Sequence, residues 1–347
     1  MNCRKTAWSL VSVLLALSVG VWPEGKVPAA DPWEDLMRQA AQHYGEGDFP
    51  ASRDSAARAL KLEQDTDKGI TLRAAECHYL LGEIHAALAR YEDAILHARR
   101  GLRIRIELLG VDHVQVGFSA NSLAQAYQDQ GNYQQALPLN EQAISIWRVH
   151  FGKDHPHLAV PYNNQGRILN IIGKHHEKKA DERKSEGRTG EASRSQALAN
   201  ESYRQAMTYF REAELILKSL PGEGSLTLGA CYQNMADTQL ALGHLEEAEV
   251  LYRQALKILG KDLGKKEPFV ILCISSLAHI TNKLGKNDEA ETFYRQALKY
   301  TIEHLGDGEH MYRLLTDMGA FYAKIGKTEK SIDCRAYAAL IKEGLDE

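Results

Sequence analysis

The stretch that decides the fold runs Leu123-Ala124-Gln125-Ala126-Tyr127, then Gly131-Asn132-Tyr133, then Ala136 and Ala143. A small residue sits mid-segment, a glycine follows seven positions later, and two further small residues lie beyond it. The same arrangement recurs along the chain. Taking the small residue as marker, it falls at Ala40, Gly82, Ala124 and Gly166, each 42 residues after the last. It returns at Ala236 and Ala278, again 42 apart, and at Gly319 after 41. The step from Gly166 to Ala236 is 70 residues, one period plus an insertion of 28. A fixed period in this range marks a repeat architecture, in which each unit buries its apolar face against its neighbours.

Each copy has the same physical design. Small residues stand where two helices must touch: Gly82, Ala94 and Gly101 in the second copy, and Ala124, Ala136 and Ala143 in the third. Ala236, Ala248 and Ala255 do so in the fifth copy, and Ala278, Ala290 and Ala297 in the sixth. Leu81, Leu123, Met235, Leu277, Tyr252 and Tyr294 supply bulk beside them at helical spacing. Gly131, Gly173, Gly243, Gly285 and Gly326 are expected to end each first helix in the left-handed conformation that glycine tolerates. The unit is therefore helix, tight turn, helix.

These residues resemble the tetratricopeptide repeat (TPR). The 42-residue period sharpens the likeness, as do the connectors Leu109-Gly110-Val111-Asp112-His113 and Phe151-Gly152-Lys153-Asp154-His155-Pro156. With Tyr162-Asn163-Asn164 and Leu251-Tyr252-Arg253-Gln254-Ala255-Leu256, they look like the kinesin-light-chain type of repeat, which is widespread in bacterial proteins. The resemblance implies an all-α fold, a right-handed α-solenoid of about seven helix-turn-helix repeats over residues 33–345. The copies are placed near 33–74, 75–116, 117–158, 159–228, 229–270, 271–311 and 312–345 as one continuous solenoid. The first is a divergent cap, with Ser52 at a small-residue position and His43 where the third copy has Tyr127. The seventh carries Thr328, Ser331 and Arg335, and Arg335 is expected to face water where Tyr252 and Tyr294 stand in earlier copies. Pro138 falls inside a second helix and should bend it.

The insertion in the fourth copy covers about 174–201. It is dense in charge of both signs and almost free of large apolar residues. It reads as a solvated, partly helical hairpin or mobile loop, with Gly187 and Gly190 at its tip; the sharper reading is a docking arm.

Residues 1–30 read as an export signal. Arg4 and Lys5 precede an apolar run from Ala7 to Trp22, and Val27-Pro28-Ala29 offers a small-residue cleavage pattern. The run is shorter than the ~20 apolar residues of a membrane-spanning helix. The expected location is exported, periplasmic or secreted, with an uncleaved membrane anchor as the alternative. A mature chain beginning at Ala30 or Asp31 is the measurable consequence. Cys77, Cys231, Cys273 and Cys334 show neither redox nor zinc spacing; an exported protein could oxidise them, but Cys231 and Cys273 occupy equivalent repeat positions, and small buried packing residues are the expected role.

Lys plus Arg number 42 against 46 Asp plus Glu, which argues against a dedicated nucleic-acid binder. No nucleophile elbow, Walker loop or dinucleotide turn is present, so no cofactor and no catalysis are expected. His155 with His157, and His175 with His176, are the tightest histidine sets. Neither has the second ligand spacing of a helical zinc site, and the first pair is expected to shape a helix start. What remains is a surface. Resemblance to the family implies that first helices line an inner groove used for peptide recognition. The candidate groove residues are Asn121, Gln125 and Gln128; Asn163, Arg167 and Asn170; Gln233 and Asp237; His279 and Asn282, with Glu83 and Ser275 at equivalent positions. Amides both donate to and accept from a peptide backbone, and Arg167 suits a carboxylate. The repeated Lys and Arg set of the carboxylate-clamp repeats is missing. The expected function is a non-catalytic scaffold for an extended peptide or partner segment. The alternative is a membrane-associated assembly component acting by self-association.

Overall fold

The computed structural model describes residues 31–67, 70–220, 225–262 and 267–346; the export segment lies outside them. Among the described residues there are fourteen α-helices and one short 3-10 turn, and no strand. The helices form seven antiparallel pairs: α1 (Pro32–Glu46) with α2 (Phe49–Asp67), α3 (Leu72–Ala87) with α4 (Tyr91–Leu109), and α5 (Val114–Gln130) with α6 (Tyr133–Phe151). There follow α7 (Ala159–Ser185) with α8 (Thr189–Ser219), α9 (Ser225–Ala241) with α10 (Leu245–Asp262), α11 (Pro268–Lys283) with α12 (Asn287–His304), and α13 (Glu309–Lys324) with α14 (Thr328–Asp346). The chain is an all-α repeat solenoid. Its packing groups into two compact units, α1–α6 up to Lys153 and α7–α14 from Asp154, a division that composition did not announce.

Within each unit every helix packs on the next. First helices of adjacent repeats also meet directly, α3 on α5 in the first unit, and α7 on α9 and α11 on α13 in the second. The small residues explain how helices approach this closely. Ala94, Ala124, Ala136, Ala143, Ala236, Ala248, Ala255, Ala278, Ala290 and Ala297 are all fully buried. Their missing bulk lets backbones meet while Tyr252, Tyr294, Leu277 and Phe321 fill the space beside them.

Local chemistry sets the helix ends. Asp31 accepts from the Trp33 amide at 3.0 Å, Thr71 from Ala74 at 2.9 Å and His113 from Gln115 at 3.2 Å, each satisfying an otherwise orphaned donor. His155 likewise accepts from the His157 amide at 3.2 Å and starts the 3-10 turn Pro156–Leu158, so this pair shapes a helix start. Gly131, Gly243, Gly285 and Gly326 take φ values of 86°, 82°, 75° and 77° between paired helices. Pro138 stands inside α6, which runs on through it to Phe151.

Gly173 corrects the expectation. It lies inside α7, buried, and a Cβ there would meet Cε1 of the Tyr203 ring at 2.5 Å. The left-handed turn has moved 14 residues on, to Gly187 at φ 75°. The insertion is therefore no loop. It lengthens α7 and α8 into a helical hairpin with the turn at Glu186–Arg188; Gly187 is at the tip and Gly190 is already in α8. Two buried rows of small residues explain it. Ala159, Gly166, Gly173 and Ala180 recur every seven residues on α7, and Ala192, Ala199, Ala206 and Ala213 do the same on α8. Fourteen added residues per helix make almost four full turns at 3.6 residues each, so the extension keeps the seam in phase.

The cysteines follow the packing reading. Cys77, Cys231 and Cys273 are buried free thiols, and Cys334 is partly exposed and also free. Burial pushes the first three thiols up to about 12, which keeps them protonated and unreactive. Arg335 faces water on the final helix.

Candidate binding surface

Residues at i, i+4 and i+7 share one helix face; on α5, α7 and α11 all three such positions towards the neighbouring first helices are polar, and on α9 the first two are, with Leu240 at the third. In the first unit, α5 carries Asn121, Gln125 and Gln128. Gln125 is half-buried and donates to Asp129 at 3.1 Å. Gln128 is buried, and both its amide atoms lie out of solvent without a hydrogen-bond partner, as does Oδ1 of half-buried Asn121. Ser122, one residue on from Asn121, donates to Glu83 on α3 at 2.6 Å.

The second unit repeats the scheme. On α7, Asn163 is buried and accepts from Asn234 of α9 at 3.1 Å. Arg167 is half-buried one turn on, and Asn170 is buried with Oδ1 unpartnered. On α9, Gln233 is half-buried, and Asp237 accepts from the Tyr252 hydroxyl. Burial raises the Asp237 carboxyl against the opposing effects of Tyr252 and Lys174. On α11, His279 Nδ1 lies 3.2 Å from Asp317 Oδ2 of α13, and Asn282 accepts from Lys324 Nζ at 3.0 and 3.1 Å through its main-chain and side-chain oxygens. Ser275 lies 3.2 Å from His310 Nε2, again joining α11 to α13.

A regularity emerges that sequence reading missed. Many of these polar groups are rungs, each tying one first helix to the next: Ser122 to Glu83, Asn234 to Asn163, His279 to Asp317, Lys324 to Asn282. Asp317, His310, Lys324 and Asn234 were not among the candidates. Their signal was available, because Asn234 and Asp317 stand at the repeat position of Ser122 and Asn164. Opposite the rungs, on the second helices, Glu249 takes Lys286 at 2.7 Å and Arg253 at 2.7 Å, and Glu291 takes Lys327 and Lys330. Ion pairs to these two carboxylates hold both below the usual range, although burial works against them.

Family models described as tetratricopeptide repeat match residues 79–115, 119–157 and 270–310, and a second model of the same description matches 196–261. The chain is a member of the tetratricopeptide-repeat family. It is 21% identical over 231 residues to the clustered mitochondria protein homolog of Candida albicans, covering 67% of this chain and spanning only 15% of that relative. Among solved structures, the apo form of RapI superposes with a TM-score of 0.58 at 13% identity, over 90% of this chain and 97% of that one. A tetratricopeptide repeat protein from Parabacteroides merdae gives 0.53 at 13% identity, over 91% and 98%. The kinesin light chain nearly identical TPR-like repeats of Podosopora anserina give 0.49 at 19%, over 69% and 98%. At such identities the likeness concerns the fold.

Proposed function

We propose that this TPR chain is a non-catalytic scaffold that holds an extended segment of a partner protein against its first helices. The observation that carries this is the rung pattern. Polar side chains recur at equivalent positions of α5, α7, α9 and α11, and hydrogen bonds within each unit hold them in register. Side chains fixed before binding lose little entropy when a ligand arrives. An extended backbone presents alternating N–H and C=O groups, which amides match from either side. In the first unit half-buried Gln125 is the contact and buried Gln128 lies beside it; in the second unit half-buried Arg167 and Gln233 are the contacts, with buried Asn163 and Asn170 beside them.

The test is affinity capture with the full chain against a Gln125→Ala/Arg167→Ala/Gln233→Ala variant. The expected result is loss of bound partner by about tenfold or more with unchanged helicity, since polar contacts to charged or amide groups contribute roughly 1–3 kcal/mol each. Undiminished capture by the folded variant would remove the assignment.

A further inference from the structure

The α3–α4 pair carries three histidines that the groove does not use. His78 and His85 of α3 are buried, and half-buried His97 of α4 touches both. His78 Nδ1 lies 2.9 Å from His97 Nδ1, and the His85 ring stacks on His97 with centroids 5.4 Å apart. A gap of that width between two ring nitrogens holds one proton, whichever ring supplies it. The folded pair therefore has room for one added proton, at an Nε2. A second would set two N–H groups head to head.

The surroundings oppose even the first. Arg100 and Arg103 act on His78, Arg100 on His97, and Arg90 with Arg53 of α2 on His85. Asp93 is the carboxylate that faces the cluster, 3.7 Å from His85 Nδ1. Other carboxylates of the packed helices look elsewhere. Glu76 faces Arg105, Glu83 accepts from Ser122, and Asp31 and Glu63 take Arg73. Asp54 takes Arg53, and on α1 Asp35 takes Arg38 and Glu46 takes His43. From α5, Tyr127 takes Arg99 and Asp129 accepts from Gln125. Burial first, then these cations, hold all three imidazoles below their usual range.

Place in the solenoid makes this a local device. Each helix pair is held by its neighbours, and such pairs open as units. The α1–α2 pair leans on α3: Trp33 Nε1 donates to Cys77 Sγ at 3.3 Å, and Met37 Sδ lies 3.6 Å from the same sulfur. Loss of α3 therefore removes the support of α1. We infer that the α3–α4 histidine cluster is an acid-operated latch, whose protonation opens α1–α4 while the second unit stays closed. Opening also takes Glu83 away from Ser122, so α5 loses its rung on the inner face. The latch stands apart from the groove reading and works with or without a ligand.

The chain supplies its own probes. Cys77 is fully buried against α1, Cys231 and Cys273 are fully buried in the second unit, and Cys334 is partly exposed. The test labels the full chain with dithiodipyridine, which reacts with thiols in acid, at pH 7, 5.5 and 4.5, and reads each cysteine by peptide mass spectrometry. Relative to Cys334, the Cys77 rate is expected to rise at least ~30-fold from pH 7 to 4.5, and those of Cys231 and Cys273 less than ~3-fold. His78→Gln/His97→Gln is expected to cut the Cys77 rise below ~5-fold. Exposed Arg100 and Arg103 make protonation costlier in the fold, so Arg100→Gln/Arg103→Gln is expected to lower the rise by ~3-fold or more. That surface variant decides the matter if the histidine variant does not fold at pH 7. A flat Cys77 ratio, parallel rises at Cys231 and Cys273, or an undiminished rise in a folded variant would each overturn the inference.

Discussion

At position 89 the second repeat has alanine where the third, fifth, sixth and seventh have glycine, and it adopts the same left-handed backbone at φ 57°. A Cβ in that region costs roughly 1–2 kcal/mol, partly offset by the greater freedom glycine has when unfolded. Ala89→Gly is accordingly expected to raise stability by about 0.5–1 kcal/mol, read as a higher urea midpoint at unchanged slope. A lower midpoint would show that the turn is not strained. Serine at the two ends has a different explanation. Ser52 and Ser331 replace the small alanine of the inner copies, and each donates to the main-chain carbonyl of its own marker residue, Ala40 at 2.7 Å and Gly319 at 2.8 Å. Both are buried. At this position, what the sequence presents as divergence is one substitution made twice, with the hydroxyl satisfied locally.

Among elements, the α7–α8 hairpin shows what repeat reading can and cannot supply. The odd step of 70 residues located the insertion, and its charge suggested solvation. Charge density hid the alanine and glycine rows, because a seam of small residues contributes little apolar bulk and yet is what two close helices need. Gly173 illustrates the same point: its neighbours match the turn pattern, but the longer helix overrides the local preference. The α3–α4 pair carries a feature that spacing did not reveal. His78 and His97 lie with their Nδ1 atoms 2.9 Å apart, and His85 stacks on His97 at 5.4 Å between ring centroids. Burial first, then a neighbouring imidazole (His97 for His78, His85 for His97) and Arg100, lower both His78 and His97 to about 4 from 6.5. The fold thus disfavours their protonation. Their contribution is complete above about pH 6.5 and is lost as pH falls through about 4. The pair is expected to cost on the order of 3 kcal/mol across that window, and His97→Gln to flatten the loss. Urea midpoints at pH 7, 5.5 and 4.5 check this; parallel profiles for both chains would refute it.

For the whole molecule, periodicity in one sequence was sufficient to read seven helix pairs, their order and the face on which first helices meet. The rungs were less legible. Asn163 and Asn282 were recognisable as inner-face amides, but their partners Asn234 and Lys324 stand at neighbouring positions one copy on, and only packing shows which pairs touch. The division at Lys153–Asp154 had no compositional mark at all. The central claim is that the first helices, and not the second, present the binding face. Site-specific photo-crosslinking tests it most directly, with the photoreactive side chain placed in turn at Gln233 on α9 and at exposed Val250 on α10. The account predicts a discrete partner adduct from position 233, competed by excess unlabelled chain, and none from position 250. Adducts from 250 with none from 233 would contradict it.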